Sequence, residues 1–580
     1  MSGAEQGAAD DAAGTDAATA VDAQLLATAQ AWLAQDPDGE TRTELQGLID
    51  DAEAGDRSAA LDLADRFAGR LAFGTAGLRG RLGAGSNRMN RVLIGQAAAG
   101  FAAYLREKAG DDAVPTVVIG YDGRRNSAVF ATDSAEIFAG AGLRAILLPR
   151  LLPTPVLAFA VRHLGADAGV MVTASHNPPD DNGYKVYLGG ADEGAQIVSP
   201  ADAEIAAHIE GVAAVGDLAA VPRSLGYETA AESVIDDYIA ATAAVAPAVP
   251  GAEGLRWVYT AMHGVGAETL TRILDAAGYP APIEVAEQIH PDGAFPTVSF
   301  PNPEEPGAMD LAFATARAAD AELVIANDPD ADRLAVAIVD ASADGGWRRL
   351  TGNQVGLLLG WRAARLASES GLAEGASLAC SLVSSPGLGV IAEHYGLDFH
   401  TTLTGFKWIS RAPGLVFGFE EALGYLVNPE TVRDKDGISA AIAMLGLVAE
   451  ARGRGASLAD LLSEFDDTFG SFASDQISIR VEDLADITRI MAALRAEHPS
   501  AIGEVAVERV DDLLDGVDGF PPGDVLRFWL SDGSRVIVRP SGTEPKLKLY
   551  LDVRGDSSAD AQERVGALSA GARALLETIG

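Results

Sequence analysis

The segment Thr173-Ala174-Ser175-His176-Asn177-Pro178 places a hydroxyl, an imidazole and an amide directly after the apolar run Ala168–Val172. The run reads as a buried strand, and the Asn-Pro-Pro that follows it reads as a turn. These groups therefore sit at a strand's C-terminal tip, which is where open α/β sheets bind ligands. One serine decides nothing by itself. Its chemistry depends on what else the chain supplies to act on it.

A second constellation is Asn327-Asp328-Pro329-Asp330-Ala331-Asp332-Arg333, on a turn between the apolar runs Leu323–Ala326 and Leu334–Val339. Three alternating carboxylates repel one another unless a cation offsets them. All-oxygen ligands suit a hard divalent ion, Mg²⁺ before others. An EF-hand is excluded, because Arg333 stands where its loop requires glycine and Val339 where it requires glutamate. A haloacid-dehalogenase-type nucleophile fits poorly, since Asp332 occupies the place where such enzymes prefer Thr or Val. A plain solvated acidic turn is disfavoured by the apolar runs on both sides.

Three further segments are weaker singly. Arg539-Pro540-Ser541-Gly542-Thr543-Glu544-Pro545-Lys546 offers hydroxyls, backbone N–H groups and two cations, a nest that suits a phosphate dianion but also describes a polar hairpin. Gly418-Phe419-Glu420-Glu421-Ala422-Leu423-Gly424 puts two carboxylates at a strand end, where they could accept bonds from sugar hydroxyls or merely start a helix. Thr404-Gly405-Phe406-Lys407-Trp408 carries one lysine in a glycine-flanked loop. His263-Gly264-Val265-Gly266 lacks the third glycine of a dinucleotide fingerprint and reads as a tight strand–helix turn.

The elements that must hold these groups alternate. Apolar periodicity predicts helices over 21–36 and 43–68, a glycine-rich loop over 73–80, and then a βαβα rhythm from Pro115 to Val172. The rhythm restarts near 230 and again near 350. The last hundred residues read as strands with two helices, an α+β unit. The expected organisation is a disordered acidic tail over 1–20, then α/β units over 21–225, 226–345 and 346–472, and an α+β unit over 473–580.

At 580 residues the chain is too long for one core. Its formal charge of −40, from 43 basic and 83 acidic residues, argues against nucleic acid and against anionic membranes. The single cysteine, Cys380, excludes an intrachain disulfide. No run is long enough for a membrane helix and no signal-peptide pattern opens the chain, so a cytoplasmic protein is expected. Monomer and dimer both stay open.

Taken in order, the segments at Thr173–Pro178, Asp328–Arg333, Gly418–Gly424 and Arg539–Thr543 resemble the phosphoserine, metal, sugar and phosphate loops of the α-D-phosphohexomutase family. The resemblance runs from about Phe73 to the C-terminus. The phrases Gly194–Pro200, Asn302–Glu305 and Thr404–Trp408 resemble its broad phosphoglucomutase and phosphopentomutase branch. The resemblance implies four domains arranged in a heart shape around a central cleft, the last closing over substrate. It implies a phosphoryl group carried on Ser175 and exchanged with a sugar monophosphate through a bound bisphosphate, with a sugar bisphosphate as activator. It implies Mg²⁺ held by Asp328, Asp330, Asp332 and a Ser175 phosphate oxygen. Arg79 and Arg333 become cations beside the transferring group, and His176, Lys185 and Lys407 candidates for orienting it or moving its proton. Glu420 and Glu421 become sugar contacts, and Arg539, Ser541, Gly542, Thr543 and Lys546 a phosphate anchor. Ala422 departs from the serine of many hexose-specific members, which keeps mannose and pentose phosphates open beside glucose phosphate. A sugar-bisphosphate synthase and a non-catalytic sugar-phosphate sensor are the other readings.

Overall fold

The computed structural model describes residues 22–579 except 111–112, 373, 482, 518 and 542–545. The expected tail over 1–20 lies outside the described residues, as do Gly542 and Thr543.

Four sheets follow one another along the chain. In the first, the strands run in the order Leu78–Arg81, Asp181–Leu188, Ala168–Val172, Thr116–Tyr121, Arg144–Leu147 and Glu228–Thr229. The last four of these are mutually parallel, and Asp181–Leu188 pairs antiparallel with Ala168–Val172. Every residue of Ala168–Val172 is buried, which is why it reads as an unbroken apolar run. The tips of Tyr121 and Val172 lie side by side, with Asp122 N donating to Val172 O at 3.1 Å. The loops that follow the two strands therefore face each other.

The second sheet runs Trp347–Arg349, Leu334–Val339, Leu323–Asn327, Trp257–Thr260, Ile283–Glu284. Leu323–Asn327 and Leu334–Val339 form an antiparallel pair that closes at Asn327 and Leu334, so residues 328–333 are its connecting loop. In the third sheet Asp398–Thr402, Ser377–Ser381 and Leu415–Glu420 are parallel, and Gly424–Leu426 returns antiparallel to Leu415–Glu420. Glu421-Ala422-Leu423 is thus the tip of a hairpin, with Leu423 at φ +63°, and not a helix start. The fourth sheet is antiparallel throughout, from Ser471–Arg480 to Ala501–Ile502, and the helices Leu484–Ala496 and Ser558–Ile579 supply the α part of this α+β unit.

The expected helix over 43–68 is two helices, Gly39–Glu53 and Arg57–Arg66, each capped by an aspartate side chain, Asp38 and Asp56. One apolar cluster runs through the first three sheets, so these units share packing and do not stand as separate cores. At its centre lies the helix Gly437–Gly453, buried around nearly its whole circumference. Its first residue is a glycine for a steric reason: a Cβ on Gly437 would come within 2.2 Å of Arg333 O. The fourth sheet has its own core. A smaller apolar cluster, which includes Leu382, Val383, Val525, Ile537 and Tyr550, joins it to the third sheet. Among the described residues no helix is long and apolar enough to cross a membrane.

Candidate active site

Ser175 takes φ +52° in a turn closed by Asn177 N donating to Ala174 O at 3.0 Å, an unusual conformation for a residue with a side chain. The buried guanidinium of Arg124 holds this turn. Its Nη1 donates to Pro178 O at 2.8 Å and Asp181 O at 3.0 Å, and its Nη2 to Ser175 O at 2.6 Å and Asn177 O at 2.5 Å. Thr173 Oγ1 accepts from Ser175 N at 2.8 Å. Ser175 Oγ is left pointing out of the turn. It donates to Asp328 Oδ2 at 2.8 Å and lies 3.4 Å from His176 Nδ1.

Asp328, Asp330 and Asp332 are fully buried and each offers an oxygen within 4.8 Å of the others. The alternation seen in the sequence aims all three inward because the loop is pinned from below. His263 and Gly264 form the tight turn expected there, and a Cβ on Gly264 would meet Pro329 Cα at 2.4 Å. Thr154 Oγ1 donates to Asp330 Oδ2 at 2.7 Å, and Lys185 Nζ donates to Asp330 Oδ2 at 2.6 Å and Asp332 Oδ2 at 2.8 Å. Lys435 Nζ adds a charge 3.4 Å from Asp332 Oδ2.

Burial opposes ionisation of all three carboxylates. Lys185 nevertheless holds Asp330 and Asp332 below the usual range, while burial and the two neighbouring aspartates push Asp328 well above it. Asp330 Oδ1 and Asp332 Oδ1 are buried and accept no hydrogen bond from the protein. Orphaned carboxylate oxygens beside a third carboxylate make a donor set that fits a hard divalent cation.

Around this pair of loops stand the remaining groups. Arg79 Nη1 donates to Asn177 Oδ1 at 3.1 Å. Arg333 Nη1 donates to Ala422 O at 2.8 Å, which ties the aspartate loop to the hairpin tip, and its buried Nε has no hydrogen-bond partner among the described residues. Glu421 accepts from the Ser381 hydroxyl at 3.2 Å and the Ser384 hydroxyl at 3.0 Å, and burial pushes both Glu420 and Glu421 up. Lys407 Nζ donates to Thr75 Oγ1 in the glycine-rich loop, and burial lowers its pKa. Arg539 ends the strand Arg535–Pro540 and is an electrostatic neighbour of both Lys407 and Glu421. Ser541 N donates to Lys546 O at 2.8 Å. Arg535 Nη2 donates to Ser384 O, linking the last sheet to the serine that bonds Glu421.

Profiles of the phosphoglucomutase/phosphomannomutase family match in sequence: α/β/α domain I over 70–215, domain II over 236–341, domain III over 351–468 and the C-terminal domain over 477–566. The chain belongs to the phosphoglucomutase/phosphomannomutase family. A "Probable phosphomannomutase" of Haemophilus influenzae is 55% identical over 84% of this chain and 98% of its own. The human phosphopentomutase is 35% identical over 92% of each chain. A solved phosphoglucomutase/phosphomannomutase family protein from Burkholderia thailandensis shares the fold, with TM-score 0.64 and 23% identity over 86% of this chain and 97% of that one. This family member is a phosphomutase, an isomerase that works by phosphoryl transfer.

Lys185, expected beside the transferring group, lies instead against Asp330 and Asp332; burial would lower its pKa, but the two carboxylates raise it. The candidate site also contains groups that the motifs do not contain. Arg124 follows the strand Thr116–Tyr121 within Asp122-Gly123-Arg124, and its signal was its place at a parallel strand's end. Lys435 lies in the charged triplet Asp434-Lys435-Asp436 just before an apolar helix, where nothing in the local spacing ties it to residue 332.

Proposed function

We propose that the chain moves a phosphoryl group between C1 and C6 of a hexose phosphate, or C1 and C5 of a pentose phosphate, with glucose phosphate as the first substrate. The observation that supports this best is the 2.8 Å bond from Ser175 Oγ to Asp328 Oδ2. It sets a candidate phosphoryl carrier on the first sheet against a candidate cation site on the second.

Ser175 would carry the phosphoryl group, pass it to the free hydroxyl of the bound sugar phosphate, and take back the other one from the resulting bisphosphate. A serine phosphate is a sluggish donor, so positioning and charge neutralisation must supply the rate. Mg²⁺ on Asp328, Asp330 and Asp332 would neutralise the phosphate oxygens on Ser175. Arg124 holds the Ser175 turn rigid, and Arg79 and Arg333 present guanidinium charge toward it. His176 Nδ1 lies 3.4 Å from Ser175 Oγ, and burial with the charges of Arg333 and Arg79 keeps the ring neutral, which suits it to orienting the transferring group. Lys407, with its pKa lowered, is a group able to exchange a proton. Glu420 and Glu421 would accept bonds from ring hydroxyls, and Arg539, Ser541, Gly542, Thr543 and Lys546 would anchor the phosphate that does not react. A small sugar phosphate, a sugar bisphosphate activator and a cytoplasmic setting complete the reading, and the charge of −40 speaks against nucleic acid.

Ala422 favours a second reading, in which mannose or pentose phosphates are used as well or better. The test is a kcat/KM series with glucose, mannose, ribose and deoxyribose 1-phosphates, each with its bisphosphate activator. Glucose 1-phosphate is expected to rank first. A pentose phosphate ahead of it by about tenfold or more, a difference of ~1.4 kcal/mol, would move the assignment to a phosphopentomutase. Bisphosphate accumulating only when another phosphoryl donor is added would make the protein a synthase.

A further inference from the structure

The loop that precedes the helix Asp310–Ala319 also borders the site, and its side chains have no role in the reading above. The Phe300 ring lies 6.1 Å from that of His176. Asn302, which is buried, folds the next residues back: its Oδ1 accepts from Glu304 N at 3.1 Å and its O from Glu305 N at 3.0 Å. This turn leaves Glu305 exposed and turns Glu304 inward. Glu304 Oε1 forms an ion pair with Arg349 Nη1 at 3.7 Å, too far for a hydrogen bond, and Arg349 Nη1 has no hydrogen-bond partner among the described residues. The electrostatic neighbours of the Glu304 carboxylate come from three other walls of the cleft. They are Arg333 of the metal loop, Glu421 of the hairpin tip and Lys548 of the last sheet.

Glu304 is thus a half-buried carboxylate beside Arg333, whose Nη1 holds the Ala422 carbonyl, and it carries no hydrogen bond of its own to another described side chain. Glu421 already spends part of its acceptor capacity on Ser381 and Ser384. We propose that Glu304 accepts a hydrogen bond from a ring hydroxyl of the sugar phosphate, and that it sets sugar preference where Ala422 provides no hydroxyl. Arg349 holds the carboxylate in place for this contact. The inference rests on the sugar-phosphate reading of the site. A charged acceptor facing a hydroxyl is the kind of contact that discriminates strongly, because an analogue lacking that hydroxyl leaves the acceptor unpaired.

The experiment compares full-length wild type with Glu304→Gln on glucose 1-phosphate and its 2-, 3- and 4-deoxy analogues, and on ribose against 2-deoxyribose 1-phosphate. The variant is expected to raise KM for the parent sugar about tenfold with kcat within about twofold, and to leave one deoxy analogue unaffected. That analogue identifies the hydroxyl. Glu305→Gln, on the exposed neighbour, is expected to change nothing. An unchanged KM, or an equal loss across all analogues, overturns the proposal. If Glu304→Gln does not fold, Glu304→Asp takes the same series, with the same outcomes deciding. Wild type turning over none of these sugar phosphates would instead refute the function proposed above.

Discussion

Ser175 Oγ and Asp328 Oδ2, 153 residues apart in sequence, lie 2.8 Å apart across the junction of two sheets. A hydroxyl can donate to that carboxylate, but a serine phosphate cannot, and would set a dianion against it. A phosphorylated Ser175 would therefore depend on a cation more than the unphosphorylated one does. Ser175→Ala is expected to lower kcat by roughly 10⁴-fold or more. Its circular dichroism and melting temperature should match wild type. Turnover near the wild-type rate would refute the phosphoserine reading.

The aspartate loop makes a sharper prediction. Chelation by EDTA should stop turnover and Mg²⁺ should restore it. Mg²⁺ should also raise the wild-type melting temperature, by an amount that grows with the logarithm of its concentration. Asp330→Asn removes one of three repelling charges but also a partner of Lys185, and the Mg²⁺-dependent rise should vanish in it. A variant that keeps the full rise would remove Asp330 from the metal site.

Arg124→Ala takes four hydrogen bonds from the Ser175 turn and leaves Asp122 buried without its cation, 3.6 Å from Arg124 Nε in the wild type. Removing one partner of a buried pair costs about 3–5 kcal/mol. Urea unfolding measures this, and a midpoint unchanged from wild type would contradict it. Arg124→Lys keeps the charge but not the forked geometry. It should recover part of the stability and little of kcat.

Arg539→Ala should raise KM about 10- to 100-fold, the effect of losing a charge-assisted contact to phosphate. The Mg²⁺ concentration for half-maximal activity should not move. A KM equal to wild type would take this loop out of the substrate site.

His176 predicts a pH effect with a definite sign. Burial, then Arg333 and Arg79, hold its pKa well below 6.5 in the folded chain. Above about pH 6.5 it is neutral folded or unfolded and contributes nothing. As pH falls below that value the unfolded chain takes up a proton that the folded one refuses, so the fold loses stability. Relative to His176→Gln, wild type should lose about 1 kcal/mol between about pH 7 and pH 5.5. Parallel stability curves would show that His176 titrates normally.

Much of this site could be read from the chain because each loop is continuous and sits at a strand end. Ala168–Val172 and Leu323–Ala326 are apolar throughout because both are covered on two faces, and this marks where their loops begin. What stayed hidden depends on distance. The strand Asp181–Leu188 is fully covered along its middle, but Asn182 and Lys185 break its apolar pattern. Lys185 tolerates burial only because Asp330 and Asp332 arrive from another sheet. The helix Gly437–Gly453 is apolar on every side and so shows no amphipathic period to announce it. Arg124 and Lys435 are ordinary charged residues in sequence, and their roles exist only after the sheets pack.

The bond from Arg535 to the Ser384 carbonyl has a consequence of its own. Ser384 grips Glu421 through its side chain while the last sheet grips Ser384 through its backbone. If a phosphate seats at Arg539 and a sugar at Glu421, as proposed, any shift of that sheet would reach the Glu421 carboxylate through one peptide carbonyl, and reciprocity would make the two ends of the ligand bind interdependently.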